Sequence, residues 1–122
     1  MPDKLLIVMS NSDPSNPSEL GAPLFQASVA AAMEYDVEVV LTGRSGELAK
    51  KGVAERLTIQ PGSSRTVYDV MKEAVAAGAV FKVCTTTLEL WGDDLIPEIK
   101  ETVGAAYLIS EAMDADTVTF TY

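Results

Sequence analysis

The chain carries one thiol, Cys84, and no histidine. Without imidazole it cannot build a Ser-His-Asp triad, a Cys-His pair or an imidazole metal site. With a single cysteine it cannot close an internal disulfide, run a two-thiol redox cycle or assemble a thiolate zinc cluster. A lone thiol can act as a nucleophile, provided its surroundings favour the thiolate. Cys84 is followed by Thr85, Thr86 and Thr87, three hydroxyl residues suited to the first turn of a helix running toward Trp91. A sulfur at such a helix start faces unpaired amides and the positive end of the dipole, which bring a cysteine pKa below its free value of about 8.5. Lys82 has the same strand parity and would add to that field. The competing reading makes Cys84 a small buried hydrophobe, as most free cysteines are.

The second polar cluster is the 10–13 segment, Ser10, Asn11, Ser12 and Asp13. It holds no glycine and has neither Walker nor GxGxxG spacing, which argues against a nucleotide or flavin cradle. Asp13 stands where a receiver domain begins its acidic cluster, but Cys84 occupies the place of that fold's acceptor aspartate. Asp93 and Asp94 follow Gly92 and read as a solvated turn rather than a metal site. Trp91, near Leu88 and Leu90, reads as core before cleft. No cofactor and no metal are expected. Cys84 is the candidate catalytic residue, with Ser10, Asn11, Ser12, Thr85, Thr86 and Thr87 as candidate binding residues.

Positioning these groups requires a sheet. Residues 5–9, LLIVM, form a short apolar run that predicts a buried strand feeding the turn-rich 10–17 loop. Asn16, Pro17 and Glu19 have cap, first-turn and third-position chemistry, but Pro23 removes an amide donor. The helix is therefore expected to begin near Ala22 and to run to about Met33. Nearly its whole circumference is apolar or small, so it should be covered on two sides, the second cover being another subunit. Residues 36–42 predict a second strand. Residues 43–59 are mixed, with a short helix at 47–51 stopped by Gly52.

After Pro61 and Gly62, Ser63 or Ser64 is expected to cap a helix in which Val67, Val70, Met71, Ala74 and Val75 recur at helical spacing. Gly78 ends it, and residues 80–84 predict a third strand. The pattern from 85 to 102 is weak. A further helix places Ala105, Leu108, Ile109, Ala112 and Met113 on one face, and residues 117–122 form a closing strand. This alternation predicts an α/β fold, a small doubly wound and mostly parallel sheet of 4–5 strands with helices on both faces. Ligands in such sheets bind beyond the carboxyl ends of the strands. The 10–17 and 84–87 loops are expected side by side, forming one cleft.

A length of 122 residues suits one domain spanning 1–122. Hydrophobic residues at 48% and charged residues at 22% describe a folded chain rather than a disordered one. Eighteen acidic against nine basic residues leave a net charge of -9, which opposes a phosphate backbone, so no nucleic-acid partner is expected. Only Lys100 offsets eight acidic side chains in residues 85–122, so that surface should be acidic. The 5–9 run is far shorter than the roughly 18–20 residues of a membrane span. It also lacks the pattern of a signal peptide. No membrane partner and a cytoplasmic location are the expectations.

Several stretches together carry a family resemblance. They are Asp13-Pro14, the Ala-rich helix through Ala32, the strand at 37–40, the 46–52 segment from Gly46 to Gly52, and Cys84-Thr85-Thr86-Thr87-Leu88 followed by Gly92. Over almost its whole length the chain resembles the DsrE/DsrF-like family. The resemblance implies a small sulfur-relay protein that works as a homo-oligomer, a trimer before a hexamer. It further implies that Cys84 holds sulfane sulfur as a persulfide. A TusA-like carrier or a rhodanese-type donor would be the partner, and any resolving cysteine must come from that second protein. The expected function is a cytoplasmic sulfur carrier or sulfurtransferase. The alternative is a non-catalytic oligomeric subunit or small-ligand-binding module with an inert core cysteine.

Overall fold

A computed structural model describes residues 3–122. Five strands form one all-parallel sheet: β1 (Lys4–Met9), β2 (Asp36–Leu41), β3 (Val80–Cys84), β4 (Ile99–Val103) and β5 (Thr117–Thr121). Their order is β4-β3-β2-β1-β5. The helices are α1 (Gly21–Ala32), α2 (Val67–Ala77), α3 (Thr85–Trp91) and α4 (Ala105–Ala112). The expected α/β architecture is the one observed, with five strands.

The sheet is apolar on both faces because both are covered. On one, Ile7, Met9, Val37, Val39, Leu41, Phe81 and Val83 pack with Leu24 and Ala27 of α1 and Val70, Met71 and Ala74 of α2. Each fully buried aliphatic or aromatic side chain there contributes roughly 1.5–3 kcal/mol. On the other, Leu6, Val8, Val40 and Val103 meet Tyr107, Leu108 and Ala112 of α4. That second face also carries charge. Glu38 is only 4% exposed, and it accepts from Tyr107 Oη at 2.7 Å and pairs with Lys4 at 2.9 Å and Lys82 at 3.3 Å. Lys4 also reaches Glu111, and Lys82 reaches Glu101 at 2.7 Å and Tyr107 at 2.7 Å. This network ties α4 to β1, β2, β3 and β4.

Several local expectations need correction. The first helix does begin near Ala22, at Gly21, but a separate 3-10 turn at Pro17–Glu19 precedes it. Asn16 precedes that turn without a side-chain cap bond. Pro23 is tolerated because it occupies the third helical position, where an amide would lack an intrahelical acceptor. The 43–59 region contains 3-10 segments at Gly43–Ala49 and Ala54–Arg56, not an α-helix at 47–51. The weak 85–102 stretch contains α3 and the edge strand β4, whose middle residues are exposed and polar. In α4 the apolar stripe does not all face inward. Ile109 and Met113 are 64% and 79% exposed, while Tyr107 and Glu111 turn toward the sheet to meet the buried charges.

The cap of α2 is Thr66, not Ser63 or Ser64. Its hydroxyl accepts from the Asp69 amide at 3.0 Å, and the Asp69 carboxylate accepts from the Thr66 amide at 3.0 Å. This reciprocal box satisfies two otherwise unpaired donors. Thr66→Ala is expected to cost about 1 kcal/mol, lowering Tm by roughly 3–5 °C in a chain of this size. A melt identical to wild type would contradict the assignment.

Candidate functional site

Cys84 is the last residue of β3 and the N-cap of α3, so the chain passes from strand to helix without a loop. The residue is 9% exposed. In the sheet it pairs with Val103 of β4. Its neighbours on the other side come from the carboxyl end of β2, where Thr42 continues the ladder by donating its amide to the Met9 carbonyl at 2.9 Å.

Burial pushes the Cys84 thiol pKa up, but donors facing the sulfur outweigh it and hold the thiol below its usual range. They are the Thr86 hydroxyl and amide, the Thr42 hydroxyl and the Thr85 amide. The sulfur does not act as a regular side-chain cap of the helix. The donors instead favour the anion, whose hydrogen bonds are stronger than those of a neutral thiol. A thiolate so placed is both a nucleophile and a good leaving group in sulfur exchange.

The two expected loops do not lie side by side, because β2 separates β1 from β3 in the sheet. The 3-10 segment after β2 bridges them. Ser45 Oγ donates to the Ser12 carbonyl at 2.7 Å on one side, and Trp91 Nε1 donates to the Gly43 carbonyl at 3.0 Å on the other. Ser10 lies against Gly43, whose φ of +53° brings the backbone close to the Ser10 carbonyl. The Ser10 and Asn11 amides donate to the Tyr122 carbonyl at 2.7 and 2.9 Å. Ser12 is buried.

Of the hydroxyl residues after the cysteine, Thr85 and Thr86 are exposed in the first turn of α3 and stand by the sulfur. Thr87 is 1% exposed and its hydroxyl points to the Leu41 carbonyl at 3.5 Å. Lys82 does not serve the thiol as anticipated from parity, since its ammonium is held by Glu101, Tyr107 and Glu38. Thr42 is the residue that sequence reasoning missed. Its signal was a hydroxyl directly after the last apolar residue of the central strand.

Asp93 and Asp94 are exposed, and Asp94 pairs with Lys51 at 3.4 Å. Among the described residues no group of three or more Cys, Asp or Glu side chains is disposed to hold a metal ion. Nor is any helix among them long and apolar enough to cross a membrane.

In structure the chain is similar to the YchN protein of E. coli, with a TM-score of 0.75 and 18% sequence identity over 100% of both chains. At that identity the likeness speaks for the fold. No curated protein matches it significantly in sequence. The profile of the DsrE/DsrF-like family matches residues 3–120. With that match over nearly its full length, and the fold of YchN, the chain belongs to the DsrE/DsrF-like family.

Proposed function

We propose that this protein is a sulfur carrier or sulfurtransferase that holds sulfane sulfur as a persulfide on Cys84. Family membership supports a role in sulfur relay in general. The observation that carries the specific reading is the ring of donors from Thr42, Thr85 and Thr86 that favours the thiolate of the chain's one cysteine. Thr85 and Thr86 act as binding residues for the anion, with Ser10 and the 11–12 backbone forming the farther wall beyond Gly43.

In loading, the Cys84 thiolate attacks the outer sulfur of a donor persulfide. The Cys84 sulfur–sulfur bond forms, the donor's sulfur–sulfur bond breaks, and the donor leaves as its thiolate. In unloading, an acceptor thiolate attacks the outer sulfur and Cys84 departs as thiolate. Sulfane sulfur moves at each step without net oxidation, so one cysteine suffices. A rhodanese-type donor and a TusA-like carrier are the partner classes proposed, in the cytoplasm.

Incubation with polysulfide followed by intact-mass measurement tests this. The native protein is expected to gain increments of about 32 Da, one sulfur atom each, removable by a thiol reductant. A native mass that never changes would contradict it. The burial of Cys84 favours one competing reading, a non-catalytic subunit with an inert core thiol, and an unchanged mass is what that reading requires.

The same proposal includes a homo-oligomer, a trimer first. Its support is an apolar cleft of 530 Å³ between α1 and the open edge strand β5, lined by Phe25, Val29, Met33, Tyr35, Val118 and Phe120. Val29 and Met33 are 59% and 61% exposed in one chain, an apolar surface of the kind that marks subunit contacts. Light scattering is expected to give a multiple of the 13.0 kDa subunit mass, three for the trimer. Met33→Glu should shift the population to single subunits. A wild-type protein that scatters only as 13.0 kDa would overturn the oligomer.

A further inference from the structure

Gly46 lies in the 3-10 segment after β2, three residues beyond Gly43, whose carbonyl accepts from Trp91. Its φ is not in the left-handed region, so its backbone suits any residue and the demand for glycine is one of space. A Cβ at position 46 would stand 2.3 Å from Thr87 Cγ2, 2.9 Å from Thr87 Oγ1 and 3.2 Å from Thr87 Cβ. Thr87 cannot swing away easily, because it is 1% exposed and β-branched. Either α3 or the 43–49 segment packed on it would have to shift instead.

A shift of either matters because of what the two carry. Thr85 and Thr86 form the first turn of α3, beside the Cys84 sulfur. The 43–49 segment grips the helix's other end through Trp91 Nε1 and the Gly43 carbonyl at 3.0 Å. It also begins directly after Thr42, whose carbonyl accepts from the Gly46 amide at 3.1 Å. Both sets of groups around the sulfur therefore hang on one short segment.

We infer that Gly46 is a positioning residue for Cys84, its missing side chain letting Thr87 seat against the 43–49 segment and so fixing where Thr85, Thr86 and Thr42 stand relative to the sulfur. This rests on the reading of Cys84 as a reactive thiol.

The test is the pH dependence of Cys84 alkylation by iodoacetamide in the folded wild type, Gly46→Ala, Thr87→Ala and the double variant. Gly46→Ala is expected to raise the midpoint by about one unit and to slow alkylation at neutral pH up to about tenfold. Thr87→Ala removes Cγ2 and Oγ1, the two atoms closer than 3.0 Å to the new methyl, and leaves only Cβ at 3.2 Å. In the Thr87→Ala background, adding Gly46→Ala should therefore move the midpoint by less than about a third of a unit, the coupling expected of touching side chains.

A purely structural glycine would change the melting temperature but not the midpoint. Should Gly46→Ala fail to fold, Trp91→Phe loosens the same clamp by deleting one N–H donor, and an upward shift is still expected. A folded Gly46→Ala, or Trp91→Phe in its place, with the wild-type midpoint overturns the inference. So does a Gly46→Ala shift of equal size in both backgrounds. A wild-type midpoint at or above that of a free thiol instead overturns the reading of Cys84 on which the inference stands.

Discussion

Glu38→Ala is expected to destabilise the protein by about 3–5 kcal/mol, the cost typical of removing one partner from a buried ion pair. Glu38 is almost wholly buried between the ammonium groups of Lys4 and Lys82 and beneath the Tyr107 hydroxyl. Its removal leaves two cations facing each other across the central strand with only Glu111 and Glu101 at the periphery. For a chain of this length the loss corresponds to roughly 10–20 °C in Tm. Glu38→Leu should cost less than Glu38→Ala, because it refills the volume. A melt within about 1 kcal/mol of wild type for Glu38→Ala would show that the network is not held together by this carboxylate.

The same network has a pH signature. Burial pushes the Glu38 pKa up, but hydrogen bonds from Tyr107 and Lys4 and the charges of Lys4 and Lys82 outweigh it, holding it below the usual range. A depressed carboxylate pKa contributes stability that is complete above the unfolded value of about 4.3 and is lost as pH falls through the folded value. Burial lowers the pKa values of Lys4 and Lys82, but their carboxylate partners, helped at Lys82 by Tyr107, raise them overall. Their contribution is complete below about 10.4 and fades at higher pH. Stability from this cluster should hold flat between about pH 5 and pH 10. Glu38→Gln should remove the acid limb that belongs to this site.

Cys84→Ser is expected to abolish persulfide loading altogether, leaving the intact mass unchanged after polysulfide treatment. Sulfur transfer from a donor persulfide to an acceptor thiol should fall to the rate seen without protein. The hydroxyl has nearly the size of the thiol and can pair with Thr42 and Thr86, so circular dichroism should report an intact fold. Residual loading in a folded Cys84→Ser protein would remove the sulfur chemistry from this residue. It is the chain's one thiol, so such a result would leave no covalent route for a carrier.

The strands were legible because their apolar runs are short, branched and bounded by turn residues, as at 5–9 and 80–84. The placement of Cys84 at a strand-to-helix junction was legible too, since three threonines after an apolar run are a helix-start pattern. Other features depend on tertiary context. Glu38 lies among the apolar residues of β2 and no local signal marks it as buried, yet α4 covers it. Ile109 and Met113 follow the helical period, but the polar contacts of Tyr107 and Glu111 rotate α4 and leave them outward. Strand β4 carries Lys100, Glu101 and Thr102 at an edge, where no apolar pattern is needed. The role of Thr42 follows from strand order, which brings β2 beside β3, so the hydroxyl after Leu41 acquires its meaning only once that order is known.

Titration of the native thiolate by its ultraviolet absorbance, with Cys84→Ser as the blank, bears most directly on whether this sulfur is held as an anion by Thr42, Thr85 and Thr86. The expected midpoint lies below the value of about 8.5 typical of a free cysteine. A midpoint at or above that value, in protein whose fold is intact across the titration, would contradict the account.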